Sequence, residues 1–149
     1  DWSLAICGMG DRKPFEDQMH ALGLDENRIE LSGPVDDVSR EYLNSSVFVL
    51  TSRFEGFGLV IIEAMSCGVP VVAFSCKMGP DEIITNGKDG YLVPVGDVNE
   101  LANQLCSLIE NQELRNQFGK AAYENSQRYS IDKVANQWKC LFDDLVKHS

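Results

Sequence analysis

Short apolar segments alternate with longer amphipathic segments along the chain as far as Asp97. The apolar segments predict five strands, at Trp2–Gly8, Arg28–Gly33, Val47–Ser52, Val69–Ser75 and Gly90–Pro94. These segments are mostly continuous rather than alternating, which is typical of strands that are covered on both faces of a sheet. Strands of this kind, separated by helices, predict an α/β fold with a doubly wound, mostly parallel, Rossmann-like sheet.

Helical spacing of apolar residues predicts the connecting segments. Helices are expected at 11–24, 36–46, Leu59–Ser66 and, as a short helix closed by Gly87, in "GPDEIITNG". From Asp97 onward the pattern predicts helices only, with a capping-box start at Asp97 and a further start at Asn111. The last helix carries an apolar stripe that must pack on something: Ile131, Val134, Trp138, Leu141, Phe142 and Leu145.

The chain contains no internal repeat, low-complexity tract or linker, so we expect a single domain over residues 1–149. It begins inside a strand-like run, and we therefore expect a fragment of a larger protein, with the first strand of the sheet lying upstream. Ligands of open α/β sheets bind beyond the carboxyl ends of the strands. This rule places candidate chemistry in the loops Gly8–Gly10, Gly33–Val35, Ser52–Gly58 and Ser75–Gly79.

Composition narrows the classes of function. The 13 basic and 23 acidic residues give a net charge of −10, which argues against a nucleic-acid-binding surface. No apolar run is long enough to insert directly into a membrane. The five cysteines form no CxxC pair, and the two histidines have no ligand spacing near them, so neither disulfides nor a metal site is expected. We expect a reduced, cytoplasmic protein.

The stretch "SRFEGFGLVIIEAMS" has the composition of a phosphate-binding turn. A strand ends at Ser52, and a loop with two glycines leads into a helix that begins near Gly58. Backbone N–H groups of Phe57, Gly58, Leu59 and Val60 would point outward there, where the helix dipole favours an anion. The same pattern also fits an ordinary tight strand–helix turn.

Two carboxylates flank this turn. Glu63 lies in an apolar helix, where a partly buried charge needs hydrogen-bond donors, and a ribose diol supplies two of them. Glu55 precedes the helix and is placed to accept hydrogen bonds from a sugar attached to the distal phosphate. The alternatives are a solvated helix-face residue for Glu63 and an exposed loop residue for Glu55.

The pair Glu55-x7-Glu63 in "EGFGLVIIEAMSCGVPVV", followed by "GPDEIITNGKDGYLVPVGD", resembles the C-terminal domain of group 1 (family 4) retaining glycosyltransferases of GT-B fold. The resemblance covers essentially the whole chain. It implies that Glu55 contacts the donor sugar as a catalytic-site residue and that Glu63 holds the ribose hydroxyls. It also implies two sets of backbone contacts: Gly56, Phe57, Gly58, Leu59 and Val60 to sugar and diphosphate, and Gly33, Pro34 and Val35 to the base.

The resemblance further implies a nucleotide-sugar donor, with UDP-sugars favoured by the "GPDEII" form, and a function in bacterial polysaccharide, lipopolysaccharide or glycoconjugate synthesis. No metal or other cofactor is expected. The family's diphosphate-clamping Arg and Lys and its N-terminal acceptor domain would lie upstream, with Arg12, Lys13 and Arg53 as candidate substitutes for the clamp. We therefore expect the chain alone to bind donor weakly and transfer nothing, and the full-length enzyme to be cytoplasmic or peripheral at the cytoplasmic membrane face.

Other functions fit the sequence less well. Gly8-Met9-Gly10 lacks the third glycine of a dinucleotide-binding fingerprint, since position 13 is a lysine. A glycosidase pair of Glu55 and Glu63 conflicts with a ribose contact for Glu63 and with the lack of a sugar cleft in one small domain. A non-catalytic nucleotide-sugar-binding or interaction module and a sugar-nucleotide epimerase on the same fold remain alternatives.

Overall fold

The computed structural model describes residues 2–147, and the chain divides after Val38 into two compact units. The first unit contains strand β1 (Leu4–Cys7), helix α1 (Lys13–Leu22), a 3₁₀ turn and strand β2 (Ile29–Ser32). The two strands pair in parallel, from Leu4 opposite Ile29 to Cys7 opposite Ser32. The prediction of a single domain over residues 1–149 stays a prediction.

Helix α1 has the ends that its sequence predicts. A proline lies in its first turn, where the missing N–H costs nothing, and Gly23 closes it in the left-handed conformation with φ 62°. All four residues of β1 are exposed, so the expectation of a buried strand is wrong here. Only one strand, β2, pairs with β1 in this sheet, and strands in so small a sheet bury little of their surface.

The second unit contains a parallel sheet in the order β3-β4-β5, and each strand is followed by a helix. Its elements are α2 (Val38–Asn44, beginning at the last residue of the first unit), β3 (Phe48–Leu50), α3 (Leu59–Ser66), β4 (Val71–Ser75), α4 (Pro80–Ile83), β5 (Gly90–Pro94), α5 (Val98–Glu110), α6 (Gln112–Ser126), a 3₁₀ turn (Gln127–Tyr129) and α7 (Ile131–Lys147).

Strand β4 is the centre of this unit, and its side chains alternate between two buried clusters. Val71 and Ala73 pack on one face with Ile61 of α3, whereas Val72 and Phe74 pack on the other with Leu108 of α5. Val71, Val72 and Ala73 have no exposed surface. The sheet is therefore covered on both faces, and the prediction of a doubly wound α/β fold is confirmed.

The helix starts after β5 follow the predicted capping. Asp97 Oδ1 accepts a hydrogen bond from the backbone N–H of Glu100 at 3.0 Å, and Asn111 caps α6 in the same way through Leu114. Helix α4 is shorter than predicted: it ends at Ile83 instead of reaching Gly87, because Ile84 has an extended backbone conformation.

The apolar stripe of α7 is largely exposed. Trp138 and Phe142 stack on one another with ring centroids 5.7 Å apart, and each leaves more than half of its surface open. Ile131, Leu141 and Leu145 are exposed as well. The expectation that this stripe packs on something is therefore not met by residues 2–147.

Candidate functional site

The loop between β3 and α3 lies at the carboxyl edge of the second unit's sheet, and it ends at a glycine that the fold requires. Gly58 has φ 86° and ψ 46°, a conformation that side chains rarely adopt, and it precedes α3 without a side-chain cap. The N–H of Ile61 returns to the carbonyl of Gly58 at 2.9 Å. The N–H groups of Leu59 and Val60, in the first turn, have no intrahelical acceptor. This helix start can thus receive an anion.

The loop after β4 packs directly on the loop before α3. A Cβ atom on Gly79 would lie 2.5 Å from the carbonyl oxygen of Phe57 and 3.5 Å from Cβ of Glu55. Gly79 also has φ 117°, and its neighbour Met78 is a non-glycine residue at φ 67°. Backbone strain of this kind concentrates at functional sites. Two of the four predicted loops, Ser52–Gly58 and Ser75–Gly79, therefore meet in the structure.

The side chains of this loop differ in their exposure. Phe57 is 40% exposed, and its ring meets the ring of Tyr129 edge-on with centroids 5.8 Å apart. Glu55 is half-buried, whereas Arg53 and Phe54 are exposed. Glu55 is thus the partly sheltered carboxylate at the entrance to α3.

The Tyr129 side chain is partly buried as well. Its burial raises the pKa of the phenol, and the neighbouring Arg128 guanidinium opposes that rise.

Glu63 is exposed, so the prediction of a partly buried charge in an apolar helix is wrong. Helix α3 has an open face, on which Leu59, Glu63 and Ser66 follow one another at helical spacing. Oε2 of Glu63 accepts a hydrogen bond from the hydroxyl of Tyr42 at 3.3 Å. Because Glu63 is solvated and held on one side, burial does not force it to find a ligand, although its position on the helix still allows one.

The residues predicted to border a base lie in the first unit. Gly33 and Val35 are partly exposed and Pro34 is exposed, and all three follow directly on β2. A Cβ on Gly33 would lie 3.4 Å from Nη2 of Arg12, so this guanidinium lies against the segment. Within the first unit, a cation and an exposed backbone segment are therefore adjacent.

Three residues that the sequence did not single out define the site in the structure. Tyr42 holds Glu63, Gly79 contacts both Glu55 and Phe57, and Tyr129 supports the ring of Phe57. Only Gly79 carried a local signal, as part of a loop that follows a predicted strand. Tyr42 and Tyr129 come from helical segments that are distant in sequence and give no such signal.

A groove in the second unit lies away from this site. It encloses about 510 Å³ near the amino ends of β3 and β4, at the opposite edge of the sheet. Its walls are polar, and they include Ser45, Pro70, Arg115 and Lys120. We place the candidate site at the carboxyl edge, because the strained loops, the uncapped helix start and both predicted carboxylates lie there.

Within residues 2–147, no three His, Cys, Asp or Glu side chains are grouped so that they could hold a metal ion. No helix in that range is both long and apolar enough to cross a membrane.

Comparisons with known proteins identify relatives of this chain. The chain is 38% identical over 147 residues to an exopolysaccharide phosphotransferase of Streptomyces coelicolor, covering 97% of the chain and 16% of that protein. It is 36% identical over 143 residues to the amylovoran biosynthesis glycosyltransferase AmsD of Erwinia amylovora, covering 95% of the chain and 40% of AmsD. The chain thus spans less than half of either relative.

Solved structures of similar fold were found as well. HepE of Anabaena in complex with UDP superimposes with a TM-score of 0.88 at 29% identity, covering 96% of the chain and 41% of HepE. HepE has also been solved with UDP-glucose, with a TM-score of 0.84 at 30% identity, covering 95% of the chain and 41% of HepE. The predicted resemblance to the C-terminal, Rossmann-like half of GT-B glycosyltransferases is therefore confirmed. The family of glycosyl transferases group 1 matches residues 1–125, and the chain belongs to that family.

Proposed function

We propose that this chain is the donor-binding part of a retaining glycosyltransferase that uses a UDP-sugar. The full-length enzyme would act in bacterial polysaccharide, lipopolysaccharide or glycoconjugate synthesis, in the cytoplasm or at the cytoplasmic face of the membrane. Family membership and the similarity to HepE, solved with UDP and with UDP-glucose, support this proposal. The similarity to a glycosyltransferase of amylovoran biosynthesis supports the polysaccharide assignment.

The observation that carries the proposal is the uncapped start of α3 at Gly58, with a carboxylate on each side of it. The N–H groups of Leu59 and Val60 would receive the phosphates, since helix starts favour anions. Glu63, further along the open face of α3, would accept hydrogen bonds from the ribose hydroxyls. Glu55, in the loop before the helix, would do the same for hydroxyls of the donor sugar.

This arrangement can assist the departure of a nucleoside diphosphate. Negative charge grows on the leaving phosphate as the bond to the sugar breaks, and preorganised N–H donors stabilise such charge most effectively. Glu55 would orient the sugar, and its charge would favour positive charge at the reacting carbon. We propose that this chemistry needs no metal ion, because the backbone of α3 and a basic side chain from elsewhere in the enzyme would supply the stabilisation.

The acceptor would bind to the remainder of the enzyme. The chain spans 16% and 40% of the two curated relatives described above, so most of each relative lies outside the match. We therefore expect the 149-residue chain to bind donor weakly and to transfer no sugar by itself. Sugar transfer by the isolated chain would contradict this expectation.

Phosphotransfer is the second activity named among the relatives, and we do not adopt it. The exopolysaccharide phosphotransferase matches over only 16% of its length, so its named activity can belong to the unmatched part. The groups at the carboxyl edge of this chain, a helix start and two carboxylates, suit the holding of a nucleotide-sugar. A non-catalytic nucleotide-sugar-binding module is distinguished from a transferase by sugar transfer in the full-length protein.

The test is a titration of the 149-residue chain with UDP, GDP and ADP and with UDP-glucose, followed by NMR or calorimetry. We expect UDP and UDP-glucose to bind most tightly and Glu63→Gln to lower both affinities by about tenfold, the value of a charge-assisted hydrogen bond. Glu124→Gln is the matched control, because Glu124 is an exposed carboxylate on α6. Absence of nucleotide binding, or equal affinities in Glu63→Gln and the wild type, would overturn the proposal.

A further inference from the structure

Phe57 lies in the Glu55–Gly58 loop and is contacted on two sides. Its carbonyl group lies against Gly79, where even a single Cβ atom would come within 2.5 Å of the oxygen. Its ring meets Tyr129, which belongs to the 3₁₀ turn before α7, with an angle of 82° between the ring planes. The loop is therefore fixed through its backbone by one segment and through a side chain by another.

Those two segments are joined to each other by α4. Gly79 precedes the first turn of α4, and the carbonyl groups at the other end of that helix bind the 3₁₀ turn. Nη2 of Arg128 donates to the carbonyl oxygens of Glu82 and Ile83 at 2.5 and 3.0 Å, and the hydroxyl of Tyr129 donates to that of Glu82 at 3.4 Å. The contacts form a closed ring that begins and ends at Phe57.

Two further contacts strengthen this closed set of contacts. The guanidinium of Arg128 lies 4.6 Å from the centre of the Tyr129 ring, close enough for a cation–π interaction. A Cβ on Gly58 would lie 3.7 Å from Cδ1 of the fully buried Ile83, so the last residue of the loop is seated on α4 as well. The closed set of contacts thus connects the Glu55–Gly58 loop to the buried core.

We propose that Gly79, Arg128 and Tyr129 form a brace that positions the Glu55–Gly58 loop for the diphosphate and sugar of the donor. The inference rests on the proposed function and adds three positioning residues to it. None of the three needs to touch the ligand. Tyr129 fixes the position of the Phe57 ring, and Gly79 fixes the direction of the Phe57 carbonyl. Arg128 holds Tyr129 and α4 together. Because the carbonyl of Phe57 and the N–H of Gly58 belong to one planar peptide group, the direction of the carbonyl also sets that of the N–H.

The brace should affect the binding of the diphosphate and sugar and not the binding of the uridine part of the ligand. Uridine would contact Glu63 and no residue of the Glu55–Gly58 loop, so its affinity is independent of the loop geometry. UDP-glucose also needs the loop, and the loss of one hydrogen bond to its charged diphosphate lowers the affinity by about 10- to 100-fold. Loss of the brace should therefore lower the affinity for UDP-glucose while leaving the affinity for uridine unchanged.

The experiment is an NMR titration of the 149-residue chain with UDP-glucose and with uridine. Tyr129→Leu should lower the affinity for UDP-glucose about 3- to 10-fold, the value of one aromatic contact. Gly79→Ala should lower it by about 10- to 100-fold, because the collision with Phe57 moves the loop and its N–H groups away from the diphosphate. Tyr129→Phe keeps the ring that meets Phe57 and loses only the 3.4 Å hydrogen bond to Glu82, so its affinity should stay close to that of the wild type.

Two matched controls separate positioning from general damage. Gly87→Ala introduces a side chain at another glycine of positive φ, 76°, but its Cβ would meet nothing within 4 Å. Tyr123→Leu removes an exposed tyrosine of α6. Neither control should change the affinity for UDP-glucose or the amide resonances of Gly58 and Leu59, whereas Tyr129→Leu and Gly79→Ala should shift both resonances.

The outcomes distinguish the brace from the proposed function. Unchanged UDP-glucose affinity in both Tyr129→Leu and Gly79→Ala overturns the brace while the proposed function stands. Equal losses of uridine and UDP-glucose affinity also overturn it, because they indicate a general structural defect. If the wild-type chain binds neither ligand, the proposed function is overturned and the brace with it.

Discussion

The hydroxyl of Tyr42 donates a hydrogen bond to Oε2 of Glu63 at 3.3 Å, and this bond joins α2 to the open face of α3. Tyr42 itself is only 6% exposed, and its ring meets that of Phe48 edge-on. A buried, packed donor thus holds a solvated carboxylate. A carboxylate can accept about four hydrogen bonds, so Glu63 keeps capacity for a ligand with two hydroxyls.

Replacing Tyr42 by phenylalanine tests this positioning. Tyr42→Phe keeps the ring contact with Phe48 and removes only the hydroxyl, so we expect the free energy of unfolding to fall by about 0.5–1.5 kcal/mol. We expect the affinity for UDP to fall by less than in Glu63→Gln, since the carboxylate itself remains. Urea unfolding and a UDP titration measure the two effects. A loss of UDP affinity as large as that of Glu63→Gln would contradict the assignment of Tyr42 as a positioning residue.

Glu55 is expected to recognise the sugar and not the nucleotide. In Glu55→Gln a neutral amide replaces the charged acceptor, and we expect the affinity for UDP-glucose to fall about tenfold while that for UDP stays unchanged. Parallel titrations with the two ligands measure the difference. Glu63→Gln is the internal comparison, because it should lower both affinities. Equal losses with UDP and UDP-glucose in Glu55→Gln would place Glu55 at the uridine part of the ligand instead.

Much of the fold follows from local sequence signals. Helix α3 and strand β5 lie at the predicted residues, Leu59–Ser66 and Gly90–Pro94, because glycines and a proline mark their ends. Strand β3 is shorter than its apolar run, with pairing limited to Phe48–Leu50. Its length depends on the register with β4, which a local pattern does not specify.

The candidate site was predictable only in part. The position of the loop before Gly58 follows from the rule that ligands bind beyond the ends of parallel strands. The exposure of Glu63 does not follow from its apolar neighbours, because burial depends on which face of α3 the rest of the unit covers. The contacts of Tyr42, Gly79 and Tyr129 are tertiary, between segments far apart in sequence. Composition carries no information about such pairs.

Gly119 shows how close contact between α6 and the turn before β4 limits substitution. In Gly119→Ala the new Cβ would collide with the backbone carbonyl oxygen of Gly68, which cannot rotate away. Alanine favours a helix by about 1 kcal/mol over glycine, but overpacking of this kind costs about 1–3 kcal/mol or more. We therefore expect a net loss of stability in urea unfolding. Gly8→Ala is the control, since a Cβ there meets nothing within 4 Å, and a gain of stability in Gly119→Ala would contradict the packing described.

Tyr129 links stability to pH at the alkaline end. Burial, the largest cause, raises the pKa of its phenol above the ordinary value, and the Arg128 guanidinium lowers it by less. A phenol is neutral when protonated, so in the window between the ordinary pKa of about 10 and the raised one the unfolded chain loses a proton that the folded chain keeps. The stabilisation is thus fully present below about pH 10 and declines as the pH rises through that window.

We expect the unfolding free energy of the wild type to fall more steeply above about pH 10 than that of Tyr129→Phe, which has no proton to lose at this position. Urea unfolding of both proteins at a series of alkaline pH values measures the two slopes. Tyr123→Phe, at an exposed tyrosine of α6, is the matched control and should follow the wild type. Parallel curves for wild type and Tyr129→Phe would show that the environment of Tyr129 does not favour the neutral phenol, and the packing of its ring against Phe57 would then need to be looser than the structure has it.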